Sequence, residues 1–147
     1  MTEPQEYEAV FAISHAIFQL TDYDVVPEIG DNVGGLAVPL INGGAAVLCG
    51  ISAGPVHVRA QVSATPPPPE TAAWDEVAEI VFAAPTGSVR VTPLFEDPVP
   101  QIGVLTSGPG EYRLRVYARG RDTAPGRFVD TPTEDYLIQV WPEQPSR

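Results

Sequence analysis

Apolar residues recur with a period of two along short stretches of this chain, and turn-forming residues separate the stretches. In Val56 to Ser63, Val56, Val58, Ala60 and Val62 share one parity, while His57, Arg59, Gln61 and Ser63 share the other. Successive side chains of a strand point to opposite faces, so the segment predicts a strand with one face in the core and one in solvent. Glu111 to Arg119 repeats the pattern, with Tyr112, Leu114, Val116 and Ala118 set against Arg113, Arg115, Tyr117 and Arg119. Asp135 to Trp141 is apolar on nearly both faces, which places it centrally in its sheet. Val10 to Leu20 fits a helix by apolar count, but β-branched and aromatic residues on both parities favour a strand. Trp74 to Ala83 alternates as well, with a short helical turn allowed at Thr71 to Val77. Leu36 to Ile41, Ala45 to Ser52, Val89 to Leu94 and Gln101 to Leu105 complete the set of short strands.

The punctuation agrees with this reading. Seventeen Pro and thirteen Gly leave little room for long helices. Turns are predicted at Asn42-Gly43-Gly44, Ala53-Gly54-Pro55, Pro85-Thr86-Gly87 and Ser107-Gly108-Pro109-Gly110. The expected fold is all-β: a two-sheet antiparallel β-sandwich of eight or nine short strands, forming one domain over residues 1–147. The proline run at 65–69 predicts a stiff extended connector. Neither half of the chain has enough strands for its own core, so the connector reads as a crossing between sheets. Tyr112, at a strand start just after Gly110, resembles the tyrosine corner of β-sandwiches.

Charge sharpens the picture because it is uneven. The net charge is −11, and residues 1–58 carry seven carboxylates with no Arg or Lys, whereas residues 111–147 balance at six of each. A field of this sign disfavours nucleic acid and anionic membranes and speeds encounter with a basic protein. The densest cluster is the loop Thr21 to Asn32, where Asp22, Asp24, Glu28 and Asp31 surround Tyr23. These five residues are the expected partner-binding surface; a solvated loop and a calcium site are the competing readings. The arginines Arg113, Arg115, Arg119, Arg121 and Arg127 offer a phosphate site, but so acidic a chain has carboxylates of its own to pair with them.

Catalytic chemistry is poorly supplied. There is no phosphate loop, HExxH or paired CxxC, and only two His and one Cys. His15 reads as part of an apolar strand, His57 as part of a polar strand face, and Cys49 as a small buried hydrophobe. No cofactor or metal is expected, and the chain is read as a binding protein rather than an enzyme. A calcium- or carbohydrate-binding sandwich module is the alternative. Glu3, Glu6 and Glu8 stand where a signal peptide carries basic residues, and no apolar stretch reaches the roughly 20 residues of a membrane span. A cytoplasmic location is therefore expected. The absence of Lys beside abundant Ala, Val, Pro and Arg fits a GC-rich bacterial genome.

Three segments carry a resemblance: ISHAIFQLTD (Ile13 to Asp22), PGEYRLRVYARGRD (Pro109 to Asp122) and EDYLIQVWP (Glu134 to Pro142). Together they look like the competence protein ComJ family. Members of that family inhibit a DNA-entry nuclease by binding it. The resemblance implies an acidic inhibitor or immunity-type protein whose partner is a basic nuclease or toxin, with no direct contact to nucleic acid or membrane. An inhibitor that covers a phosphate-binding surface has a physical use for surplus carboxylates.

Overall fold

The computed structural model of the protein describes residues 5–23, 25–26, 35–70 and 73–143. Its strands are β1 (Gln5–Ile13), β2 (Ile17–Asp22), β3 (Ala37–Pro39), β4 (Ala45–Leu48), β5 (Gly54–Val62), β6 (Glu76–Ala84), β7 (Val89–Pro93), β8 (Gly110–Arg119) and β9 (Asp135–Pro142). They form a five-stranded sheet in the order β1-β5-β9-β8-β6 and a four-stranded sheet in the order β3-β4-β2-β7. The expected all-β sandwich is the observed architecture, with one departure: β5 runs parallel to β9.

The inward parity of each alternating segment supplies the core. Phe18, Leu20, Val47 and Val91 of the smaller sheet meet Val56, Val58, Leu114, Val116, Tyr136 and Ile138 of the larger. Phe18 sits at their centre, edge-on to Phe11 and to Tyr136, with ring centroids 5.6 Å away in both cases. Full burial of a side chain of this size contributes about 1.5–3 kcal/mol. At the strand start after Gly110, the Tyr112 hydroxyl donates to Gly108 O at 2.7 Å and accepts from Ser107 N at 2.9 Å. That is the tyrosine corner expected there.

Three expectations change. Val10 to Leu20 is not one strand, because β1 ends at Ile13 and β2 begins at Ile17 in the other sheet. His15 and Ala16 turn the chain with φ of 59° and 60°, the primed-turn geometry that Gly and Asn adopt more readily. Ala16 is held there on both sides, its N–H donating to Ser52 O at 2.9 Å and its carbonyl accepting from Cys49 N at 2.8 Å.

The proline connector does not cross between sheets. β5 and β6 belong to the same sheet on either side of β9 and β8, so residues 63–70 and 73–75 strap its outer face. Arg115 Nη1 donates to Pro67 O at 3.0 Å, and Glu70 N–H donates to the Tyr117 hydroxyl at 2.9 Å. The described part of Thr71 to Val77 holds no helical turn, and from Glu76 the chain is already in β6.

Gln101 to Leu105 is not a strand either. The segment between β7 and β8 plugs the open side of the sandwich between β7 and β1, burying Val99, Ile102 and Leu105. Two isolated bonds tie it to β7, Val99 N to Val91 O at 2.9 Å and Leu105 N to Val89 O at 2.8 Å. Gly103 lies so close to β1 that a Cβ there would meet the Tyr7 hydroxyl at 2.8 Å.

Candidate partner-binding surface

Asp22 ends β2 with its side chain buried, not presented to a partner. Oδ1 accepts from Tyr23 N at 2.8 Å, Thr86 Oγ1 at 2.6 Å and Ser88 N at 2.9 Å, and Oδ2 accepts from Thr86 N at 2.7 Å. Burial works to raise its pKa, but these donors outweigh that and hold the carboxyl below its ordinary value. Both oxygens are engaged, so Asp22 pins the turn before β7 and is no free ligand for a cation or a basic side chain. Tyr23, its neighbour, is 73% exposed. Asp24, Glu28 and Asp31 lie outside the described residues.

The outer face of the five-stranded sheet carries two polar rows that periodicity alone does not reveal. In the first, Gln61 donates to Glu6 at 2.9 Å, Gln139 to Gln61 at 2.8 Å, Arg115 to Gln139 at 3.2 Å and Arg115 to Glu79 at 3.1 Å. This chain of side-chain bonds touches all five strands of the sheet. In the second, His57 lies between Glu8 at 2.5 Å and Asp135 at 2.9 Å, and Arg119 donates to Asp135 at 3.0 Å. Burial alone would lower the His57 pKa; hydrogen bonds from both ring nitrogens to carboxylates raise it instead.

The rows are covered unevenly. Over β8 and β9 the proline strap, Trp74 and Trp141 close the face, with Arg115 over the Trp141 ring at 4.8 Å and Arg119 over Trp74 at 4.8 Å. Arg113 pairs with Glu79 at 3.1 Å and with Glu143 at 2.8 Å, and Arg121 pairs with Glu76. Four of the five arginines read as a phosphate site are thus neutralised within the fold. Over β1 the face is open: Glu6, Glu8 and Val10 are exposed on one parity. Beyond the free edge of β1, the plug adds exposed Glu96 and Asp97. Tyr23, at the end of β2, shares a pocket with Pro98 of the plug and with Arg90. Sequence reasoning placed the acidic surface in the Thr21 to Asn32 loop and missed Glu96 and Asp97, whose run FEDPVP reads as an ordinary loop.

Among the described residues, neither histidine joins a hydroxyl to a carboxylate. His15 is exposed in its turn, edge-on to Phe95 at 5.6 Å, with Nδ1 3.1 Å from Ser14 Oγ. The ring nitrogens of His57, which is half-buried, meet carboxylates, not a hydroxyl or thiol. Cys49 is buried, and desolvation pushes its thiol pKa up to about 12, so it stays protonated at neutral pH.

No protein-family model and no curated protein matches this sequence. Solved structures do share its fold along nearly the whole chain. The crocagin biosynthetic gene J product is 17% identical, with a TM-score of 0.56 over 97% of this chain and 99% of that one. ComJ of Bacillus subtilis, described as the inhibitor of the DNA degrading activity of NucA, is 14% identical, with a TM-score of 0.54 over 96% of both chains. The resemblance carried by the two ends of the sequence extends through the middle of the chain as well, and the protein has a ComJ-like fold.

Proposed function

We propose that this protein is an acidic inhibitor or immunity-type partner of a basic nuclease or toxin, acting by binding rather than by catalysis in the cytoplasm. The observation that carries this reading is the end-to-end likeness in fold to ComJ, an inhibitor of a DNA-degrading enzyme. Fold alone does not fix function, so the charge is the second support. The net charge is −11, and the arginines of β8 are spent on internal pairs, leaving Glu6, Glu8, Glu96 and Asp97 exposed on one side. A nuclease presents a cationic surface to phosphates, and such a surface is steered toward this side and shielded by it. The Thr21 to Asn32 loop, with Tyr23, Asp24, Glu28 and Asp31, is proposed from its sequence as a further part of the contact. Asp22 acts only as its anchor.

The test is affinity capture from the native host at low salt, followed by a plasmid-degradation assay. A nuclease or toxin should be retained, released by high salt, and inhibited by added protein. If the retained proteins include no nuclease or toxin, or if added protein leaves DNA cleavage unchanged, the reading fails.

A further inference from the structure

We propose that the cleft between β1 and the 93–101 segment takes an extended, basic segment of the partner, which adds as a further strand to the free edge of β1. The inference rests on the partner-binding reading above and assigns it a place and a mode.

Main-chain geometry fixes which groups of β1 are free. His57 N–H donates to Glu134 O at 3.2 Å and Ser63 N–H to Val140 O at 3.0 Å, both on the β9 side of β5. Alternation then turns Val56 and Val58 toward β1, where they pair with Phe11 and Ala9. Val10 and Ala12 consequently aim their N–H and C=O groups away from β5, out of the sheet. Pro55 stands opposite Ala12 and has no N–H to offer it, as this phase requires. Among the described residues, no loop main chain bonds to Val10 or Ala12. Toward Gln5 the edge is crowded by the plug at Gly103, but from Val10 to Ser14 it borders a cleft of about 540 Å³.

The opposite wall is built so that it cannot close that edge itself. Pro93, Pro98 and Pro100 line it and carry no N–H, while Glu96 and Asp97 give it charge. None of the lining residues is basic. Next to Glu96 in the chain, though not in the cleft lining, Phe95 is 83% exposed and held at φ 65°, a conformation that non-glycine residues adopt only under constraint from their surroundings. Val10, which does line the cleft, is 54% exposed. An extended chain seated here would bond to Val10 and Ala12, place apolar side chains on exposed Val10, and place cations against Glu96 and Asp97. A second copy of this protein would bring its own net charge of −11 to an acidic cleft, so charge selects a basic partner over self-association.

A blocked peptide alternating arginine and valine probes the cleft of the full chain, with a glutamate–valine peptide as control. The arginine peptide should shift the NMR amide signals of Val10, Ala12, Glu96, Asp97, Val99 and Gln101, and should weaken with salt. Ala12→Pro removes one outward N–H that the ladder does not use, so the fold should survive while affinity falls about five- to tenfold. Should that variant unfold, the Glu96→Arg/Asp97→Arg double variant on the exposed loop probes the same cleft, and it should switch preference to the glutamate peptide. No binding of the arginine peptide at millimolar concentration, equal binding of both peptides, or shifts outside the cleft would overturn the proposal. Peptide binding without inhibition of any nuclease keeps the cleft and sinks the nuclease reading. Nuclease inhibition that survives both variants does the reverse.

Discussion

Gln139 Nε2 donates to Gln61 Oε1 at 2.8 Å, joining β9 to β5 across the parallel pair of the larger sheet. Gln139 is only 2% exposed and also accepts from Arg115, so it links the open acidic side of the face to the strapped side. Gln139→Leu leaves the Gln61 carbonyl without its donor and takes from Arg115 Nη1 one of its three acceptors, the others being Pro67 O and the Tyr117 hydroxyl. The expected loss is about 1–3 kcal/mol, read from urea unfolding. Combining it with Arg115→Met should cost less than the two single changes added, since both remove the same bond.

Asp22 gives a second prediction, with a definite sign in pH. Its folded pKa lies below the ordinary 3.8, so the unfolded chain binds more protons across the interval between the two values. Its stabilisation is therefore present above the ordinary carboxylate range and is lost as pH falls through the lowered folded value. Asp22→Asn keeps the shape but turns one acceptor into a donor facing amide N–H groups. The variant should be less stable at neutral pH, and the gap from wild type should narrow on acidification in thermal melts from pH 7 to about 3. A gap that stays constant over that range would mean the carboxylate charge contributes nothing.

What the sequence made legible follows from how local each signal is. β5, β8 and β9 announce themselves because inward and outward residues alternate within a few positions, and the two-sheet count follows from repeating that reading. The hairpin at His15 and Ala16 leaves no such mark: its left-handed pair is stabilised by Ser52 and Cys49, over thirty residues away, not by Gly or Asn. Asp22 misleads for the same reason, since a carboxylate in an acidic loop looks solvated until the turn at Thr86 and Ser88 folds onto it. The strap is invisible because polyproline composition fixes a connector's stiffness but not the sheet it lies on. The cleft beside β1 needed the ladder phase, which depends on pairing rather than on the residues of β1 alone.

Gly50 carries a third prediction. Glu134 is 1% exposed, and it accepts from Gly50 N at 3.0 Å, Ile51 N at 2.7 Å and the Tyr136 hydroxyl at 2.5 Å. A Cβ on Gly50 would fall 2.0 Å from Arg121 O and 2.6 Å from Glu134 Oε2. Gly50→Ala must push the main chain of the 120–133 loop away and break this cluster, costing about 3 kcal/mol or more. Denaturant titration checks it, and a loss under about 1 kcal/mol would mean the loop yields freely.

The strap makes a fourth. Tyr117 is buried beneath it, with its hydroxyl accepting from Glu70 N at 2.9 Å and its ring 5.7 Å from Trp74. Tyr117→Phe keeps the ring contact and deletes the bond. Global stability should fall by about 0.5–1.5 kcal/mol, and amide hydrogen exchange at Glu70 should accelerate while β8 and β9 stay protected. Unchanged exchange at Glu70 would assign the strap's placement to its other bonds, Arg115 to Pro67 O and Arg119 to Ala73 O among them.

His57 sets the pH response on the open side. Its ring is half-buried, and the bonds to Glu8 and Asp135 lift its pKa above the ordinary 6.5 against the opposing effect of burial. A raised folded pKa means the imidazolium stabilises the fold fully below about pH 6.5 and loses that contribution as pH rises through the folded value. NMR titration of the ring protons should give a midpoint above 6.5 in the wild type, moving down in Glu8→Gln and with added salt. A wild-type midpoint at or below 6.5 would show that burial wins over the two carboxylates. Because Glu8 shares a face with exposed Val10, deprotonation of His57 also leaves one more uncompensated negative charge beside the β1 edge. Binding of the arginine–valine peptide should therefore tighten as pH rises through the His57 midpoint, and His57→Gln should abolish that dependence while leaving the peptide bound.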